Sequence, residues 1–67
     1  MIHITVNGDT QHFTQPLVLS ELLAAMALTG RKIAVERNGE IVPKSAHGAT
    51  QLADGDRLEI VAAVGGG

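Results

Sequence analysis

The residues with the clearest chemical capacity are three consecutive glycines, Gly65, Gly66 and Gly67, at the end of the 67-residue sequence. Glycine has no side chain, so a partner's backbone can approach such a segment closely. We expect a flexible thread that enters a narrow channel in another protein and presents the carboxylate of Gly67 there. A carboxylate is a poor electrophile, but adenylation by a partner enzyme would make it an acyl group that a thiol or an amine attacks. The alternative is an unstructured end without function.

A predicted strand carries this segment. It starts after Asp54-Gly55-Asp56, a turn signal in which turn chemistry accounts for both aspartates. Alternation at period two then separates two faces. The inner face carries Leu58, Ile60, Ala62 and Val64, and the outer face carries Arg57, Glu59, Val61 and Ala63. We expect Val61, Ala63 and Val64 to form an apolar docking patch beside the tail.

Composition restricts the classes of protein to which the chain can belong. The length predicts one small domain, residues 1–64, followed by a tail, residues 65–67. There is no cysteine, so neither a disulfide nor a thiolate zinc site can stabilise it. The net charge of −2, the lack of a basic run and the single aromatic residue, Phe13, argue against nucleic acid as a partner. With no membrane-spanning run and no signal peptide, a cytoplasmic protein without membrane partners is expected.

Two tight hairpins and one helix are predicted before the last strand. Asn7-Gly8 joins strand 2–6 to strand 10–14, and a two-residue loop there places Ile2 opposite Phe13 and His3 opposite His12. A loop longer by two residues would keep the same faces and make the two histidines diagonal neighbours. The helix starts with Ser20 as its N-cap and ends at Thr29-Gly30, with Gly30 at the C′ position. Asn38-Gly39 joins strand 33–37 to strand 40–42, and residues 44–51 form a connection with at most one short helical turn.

These elements predict an α+β fold of order ββαββ, with a short extra piece before the last strand. One helix covers one face of a mixed sheet of four to five strands, because each element has a single apolar face to bury. The predicted core consists of Ile2, Ile4, Val6, Phe13, Leu19, Leu22, Leu23, Met26, Ile33, Val35, Val42, Leu52, Leu58 and Ile60.

No side-chain active site and no metal site are predicted. His3 and His12 are neighbours across the first hairpin and His47 is distant in sequence, whereas zinc requires a further ligand with fixed geometry. We interpret the three histidines as solvated surface residues. Ser20 and Ser45 have no base partner in the sequence, and no glycine-rich loop precedes the helix in the manner of a phosphate site.

In this order the motifs resemble the ubiquitin-like β-grasp sulfur carriers, and among them the ThiS family. The resemblance covers the whole chain. Its motifs are Ser20-Glu21-Leu22-Leu23, Val35-Glu36-Arg37-Asn38-Gly39-Glu40-Ile41-Val42-Pro43, Asp54-Gly55-Asp56-Arg57-Leu58-Glu59-Ile60-Val61 and Val64-Gly65-Gly66-Gly67. One departure is that Ala46-His47 stand where the family often carries an aromatic residue.

The resemblance implies a protein substrate and sulfur donor rather than an enzyme, with no cofactor of its own. A ThiF-type enzyme would use ATP and magnesium to adenylate Gly67. A cysteine desulfurase relay would supply the sulfur of a thiocarboxylate, and the thiazole synthase ThiG would receive it in thiamine biosynthesis. The rivals are a molybdopterin carrier of the MoaD type, another thiocarboxylate carrier or a ubiquitin-like modifier, a protein-binding module, and a nucleic-acid-binding β-grasp domain. The segment Ala62-Ala63-Val64, in place of prolines and a serine, favours the thiamine pathway over the molybdopterin one.

Overall fold

The computed structural model describes residues 1–62, which form one mixed sheet with a single α-helix on one face. The elements are β1 (Ile2–Val6), β2 (Asp9–Phe13), α1 (Leu19–Ala25), β3 (Ile33–Arg37), β4 (Glu40–Val42), a 3₁₀ turn (Lys44–Ala46) and β5 (Arg57–Ala62). The sheet has the order β2-β1-β5-β3-β4. Strand β5 runs parallel to β1 and antiparallel to β3. The predicted element order and the predicted mixed sheet are confirmed, with five strands. No helix in residues 1–62 has the length and hydrophobicity needed to cross a membrane.

Both hairpins close through two-residue turns, as predicted. Asn7 and Gly8 have φ angles of 50° and 88°, and Asn38 and Gly39 have φ angles of 52° and 88°. Positive φ at both positions is typical of the type I′ turn, whose twist matches that of the flanking strands. The predicted register is confirmed, with Ile2 opposite Phe13 and His3 opposite His12. Strand β2 runs one residue earlier than predicted, because Asp9 pairs with Val6 directly after the turn.

The core lies between α1 and the inner face of the sheet. Among residues 1–62, nine apolar residues are buried in this core, and all were predicted: Ile4, Val6, Leu19, Leu22, Leu23, Val35, Leu52, Leu58 and Ile60. Ile2, Phe13, Ile33 and Val42 pack against them and are partly buried. The prediction was wrong for Met26, which is 36% exposed. Its place on the apolar stripe assumed a helix longer than the seven residues that α1 contains.

The predicted N-cap at Ser20 is wrong, because the helix begins earlier and uses other partners. Val18 takes the N-cap position, and its N–H donates to Glu21 Oε1 at 2.8 Å. The N–H of Leu19 donates to the carbonyl of Thr50 at 2.8 Å, and that of Ser20 to the carbonyl of His47 at 3.0 Å. The backbone carbonyls of His47 and Thr50 therefore accept hydrogen bonds from N–H groups at the helix start, which would otherwise need a capping side chain. The prediction of at most one short helical turn in residues 44–51 is confirmed by the 3₁₀ turn at Lys44–Ala46.

The predicted helix end at Gly30 is also wrong. Ala27 adopts the left-handed conformation with φ of 59°. Its N–H donates to the carbonyl of Ala24 at 3.0 Å, and the N–H of Leu28 donates to the carbonyl of Leu23 at 2.8 Å. These two bonds form a Schellman motif, in which glycine is the usual left-handed residue. An alanine therefore ends the helix, and Gly30 lies in the turn that follows.

Asp56 anchors the start of β5, a role that exceeds the predicted turn chemistry. It is buried, with 6% of its surface exposed. Its Oδ2 accepts from the N–H of Ala53 at 2.8 Å and from Arg37 Nε at 2.9 Å, and its Oδ1 accepts from Asn38 Nδ2 at 3.1 Å. Burial raises the pKa of Asp56, but the hydrogen bonds from Ala53, Asn38 and Arg37 outweigh it and hold the pKa below the usual 3.8.

The Asp56→Asn variant should lower the free energy of unfolding by about 1–3 kcal/mol near neutral pH, because an amide cannot accept from all three donors. The folded-state pKa of Asp56 lies below the unfolded value, so its contribution is present above pH 3.8 and is lost as the pH falls through the folded-state pKa. Urea unfolding should therefore show wild type and variant converging on acidification. Glu40→Gln, an exposed carboxylate-to-amide change on β4, is the control. A difference that does not change with pH would contradict this role.

The Ala27→Gly variant should raise the free energy of unfolding by about 1 kcal/mol, because glycine adopts the left-handed conformation without the steric cost that Ala27 bears. The matched control is Ala24→Gly within α1, which should lower the stability by about 0.5–1 kcal/mol. Thermal unfolding followed by circular dichroism measures both. Destabilisation by both substitutions would show that Ala27 is not the strained end of the helix.

Candidate functional site

The structure describes the base of the predicted tail. Val61 is the only residue of the predicted docking patch within residues 1–62, and Ala62 ends β5. The predicted site residues Ala63, Val64, Gly65, Gly66 and Gly67 lie outside the described residues, and so does the predicted division into residues 1–64 and 65–67. The base lies in the central strand of the sheet, between β1 and β3.

Val61 lies on the outer face of the sheet, as predicted, with 57% of its surface exposed. Ala34 is its direct neighbour on β3. Ile41 of β4 is 64% exposed and lies on the same face, opposite Glu36. We call Ala34, Ile41 and Val61 the outer strip. Exposed apolar residues grouped on one face are candidates for a protein-docking surface.

Two carboxylates border the outer strip. Glu36 of β3 lies directly opposite Glu59 of β5 on the outer face. Within the described part of the chain, neither carboxylate has an ion-pair partner, since the ion pairs found there are His3–Asp54 and Arg37–Asp56. Directly opposed like charges destabilise a sheet by a few tenths of a kcal/mol to about 1 kcal/mol. A basic side chain of a docking partner would relieve this repulsion.

Asn7, which follows β1, holds the last part of β5 on the side of the strand away from β3. Its Nδ2 donates to the carbonyl of Ile60 at 2.9 Å, and its Oδ1 accepts from the N–H of Ile60 at 2.7 Å. Backbone pairing between β1 and β5 covers Thr5–Arg57 and Val6–Leu58. The amide of Asn7 therefore takes over where the paired residues end and satisfies both backbone groups of Ile60.

A shallow cleft lies at the end of β5 on the side that faces the helix. It has a volume of about 340 Å³, and its lining includes Asn7, Met26, Leu28, Ile33, Ile60 and Ala62. The early end of α1 leaves Met26 at this cleft rather than in the core. The end of β5 therefore borders the outer strip on one side and, on the other, this cleft, whose apolar lining is joined by Arg31 and Lys32.

The histidines do not converge on one point. His3 and His12 are in contact across the first hairpin, with ring centroids 4.8 Å apart. His47 lies elsewhere, with Nε2 at 3.2 Å from the carbonyl oxygen of Val42. Over residues 1–62 there is no group of three or more histidine, cysteine, aspartate or glutamate side chains placed to hold a metal ion.

Comparison with known proteins places these features in a family. The model of the ThiS family matches residues 4–67. The thiazole synthase of Paramagnetospirillum magneticum is 45% identical over 64 residues, which are 96% of this chain and 20% of that protein. The sulfur carrier protein ThiS of Bacillus subtilis is 43% identical over 49 residues, 73% of this chain and 74% of that one. The chain thus spans about a fifth of the length of the thiazole synthase that it matches.

A solved structure agrees with the fold. The crystal structure of the thiamine biosynthesis protein ThiS from Geobacter metallireducens superposes with a TM-score of 0.85 at 35% identity, covering 98% of this chain and all of that one. With the five-stranded mixed sheet and the single helix, this likeness confirms the predicted β-grasp fold. The family model matches nearly the whole sequence, including the segment of glycines, and the chain therefore belongs to the ThiS family.

Proposed function

We propose that this chain is a sulfur carrier of thiamine biosynthesis that works through the carboxylate of Gly67. The observation that carries the proposal is the family match, which continues through residue 67 and so includes Gly65, Gly66 and Gly67. The relative from Bacillus subtilis is named as a sulfur carrier protein, and it covers 73% of the chain. In this role the chain is a protein substrate and sulfur donor, and its partners perform the catalysis.

The proposed reaction begins with activation of the carboxylate. An oxygen of Gly67 attacks the α-phosphorus of ATP on a ThiF-type enzyme, pyrophosphate leaves, and an acyl adenylate is formed. The partner binds the ATP and the magnesium. The outer sulfur of a persulfide on the cysteine desulfurase relay then attacks the acyl carbon and AMP leaves, which gives an acyl disulfide with the donor. A second thiol attacks the donor sulfur of that disulfide, so the thiocarboxylate leaves and the two thiols are oxidised to a disulfide.

The proposed recipient of the sulfur is a thiazole synthase of the ThiG type. The support is that thiazole synthases of Paramagnetospirillum magneticum and Magnetococcus marinus are 45% and 34% identical to this chain, each over about a fifth of its length. Those proteins therefore combine a region like this chain with a much longer remainder. We infer that the carrier and the synthase act in contact with each other.

In this proposal, residues 1–62 position the glycine segment and provide the surface that docks on the partners. Asn7 and Asp56 hold β5 at its two ends, so the residues after Ala62 start from a fixed point in the sheet. The outer strip, with Ala63 and Val64 as its proposed continuation, would rest on each partner. A basic partner group beside Glu36 and Glu59 would then set the direction in which the glycines enter the active site.

Removal of Gly66 and Gly67, or addition of one residue after Gly67, should abolish activation. In the shortened chain the terminal carboxylate would stop short of the α-phosphorus of ATP, and in the extended chain it would lie beyond it. The measurement is ATP–pyrophosphate exchange with a purified ThiF-type enzyme, and the unaltered chain is the control. Matching circular dichroism spectra would show that the fold is unchanged. Exchange supported by the extended chain, in the absence of a processing protease, would contradict the proposal.

The Val61→Asp variant should weaken binding to the activating enzyme and to the synthase by about tenfold or more. Burial of a valine side chain contributes about 1.5–3 kcal/mol, and each 1.4 kcal/mol is tenfold in affinity. The matched control is Thr10→Asp, which places a carboxylate on the same face at the far edge of the sheet. Calorimetric titration compares the two variants. Equal affinities for Val61→Asp and wild type would show that the outer strip is not part of the docking surface.

A further inference from the structure

A pair of histidines lies on the outer face of the sheet, near the edge formed by β2 and away from Val61. His3 of β1 and His12 of β2 are direct cross-strand partners. Thr5 and Asn7 direct their N–H groups to β5, at 3.0 Å from the carbonyl of Asp56 and 2.9 Å from that of Leu58. Alternate residues of β1 therefore bond to different neighbours, and His3 forms a non-hydrogen-bonded pair with His12. In such pairs the side chains are closest.

Asp54 orients the His3 ring through contacts of its Oδ1 with the backbone and the ring of His3. Its Oδ1 lies 2.7 Å from the backbone N of His3, which donates to it, and 2.9 Å from the ring Nδ1. Near neutral pH an aspartate side chain is ionised. An ionised carboxylate can only accept, so Nδ1 carries the proton and the lone pair of the neutral ring is on Nε2.

This arrangement has the parts of a histidine ligand in a metal site. A carboxylate that accepts from one ring nitrogen fixes the tautomer, sets the ring orientation and raises the basicity of the other nitrogen. The second imidazole, His12, lies with its ring centroid 4.8 Å from that of His3 at an interplanar angle of 87°. The His3 ring is also open to solvent, since 52% of its side-chain surface is exposed.

We propose that His3 Nε2 and the imidazole of His12 form a two-histidine site for a divalent transition-metal ion, with Asp54 as the positioning residue. Water completes the coordination, so the site exchanges its metal and differs from a closed structural zinc site with four protein ligands. Imidazole suits Zn²⁺, Ni²⁺ and Cu²⁺, and Cu²⁺ forms the most stable complexes of the three. The site does not depend on the sulfur-carrier proposal, because it uses no residue of the outer strip or of the glycine segment.

A competing chelate uses the amine of Met1, the first backbone amides and Nδ1 of His3. It would have to break both hydrogen bonds between His3 and Asp54. It also needs a free amine at Met1, whereas the two-histidine site does not. An added Gly-Ser dipeptide before Met1 therefore separates the two possibilities.

The test is a titration of the full chain with Cu²⁺ in a non-coordinating buffer at neutral pH, followed by calorimetry and electron paramagnetic resonance. We expect one ion per chain, nitrogen coupling from two imidazoles, and unchanged affinity when Gly-Ser precedes Met1. His12→Asn should weaken binding by at least about tenfold, and Asp54→Asn by about tenfold, as outer-shell substitutions do. His47→Asn, which alters a histidine outside the site, should leave the affinity unchanged.

Two results would overturn the site. One is an affinity for Cu²⁺ that His12→Asn does not alter. The other is loss of binding in the chain extended before Met1, which would assign the metal to the amine chelate. Thermal unfolding of each metal-free variant verifies the fold. If His12→Asn does not fold, His12→Thr, which suits a strand, takes its place and must show the same loss.

Discussion

The structure depends on the position of its last strand. Strand β5 lies in the middle of the sheet, and the two hairpins that precede it in the chain share no backbone ladder except through β5. The core cannot close until the end of the described chain is in place, so the fold relies on contacts that are distant in sequence. Two polar side chains secure this strand. Asp56 ties its start to β3 and the second turn, and Asn7 holds Ile60 near its end.

This position also links the fold to the proposed function. A segment that follows β5 starts from the central strand of the described sheet, which has hydrogen-bonded neighbours on both sides. A partner that holds the glycines therefore acts on a fixed base rather than on a loose end. The outer strip lies beside that base, so a surface that docks there determines the direction of approach. The two-histidine site lies away from the strip, on the other hairpin.

Local sequence patterns predicted most of this architecture. Asn7-Gly8 and Asn38-Gly39 predicted both turns and the register of the first hairpin, because their left-handed conformations admit few other residues. Alternation at period two predicted that Val61 faces outward. The helix limits were wrong for a physical reason: Val18 and Ala27 are poor choices by local preference, and contacts with residues 47–50 and the Schellman bonds outweigh that preference. The roles of Asn7 and Asp56 could not be predicted, because their partners in Ile60 and Arg37 are 53 and 19 residues away.

The measurement that tests the central claim most directly is the intact mass of the protein. It should be determined after isolation from cells starved of thiamine and supplied with cysteine, and after incubation with a ThiF-type enzyme, ATP and a sulfur source. The sulfur-carrier account predicts a mass gain equal to the replacement of one oxygen by sulfur, located at Gly67 and absent when Gly67 is removed. An unchanged mass in both preparations, with the same enzyme active on another carrier, would contradict it.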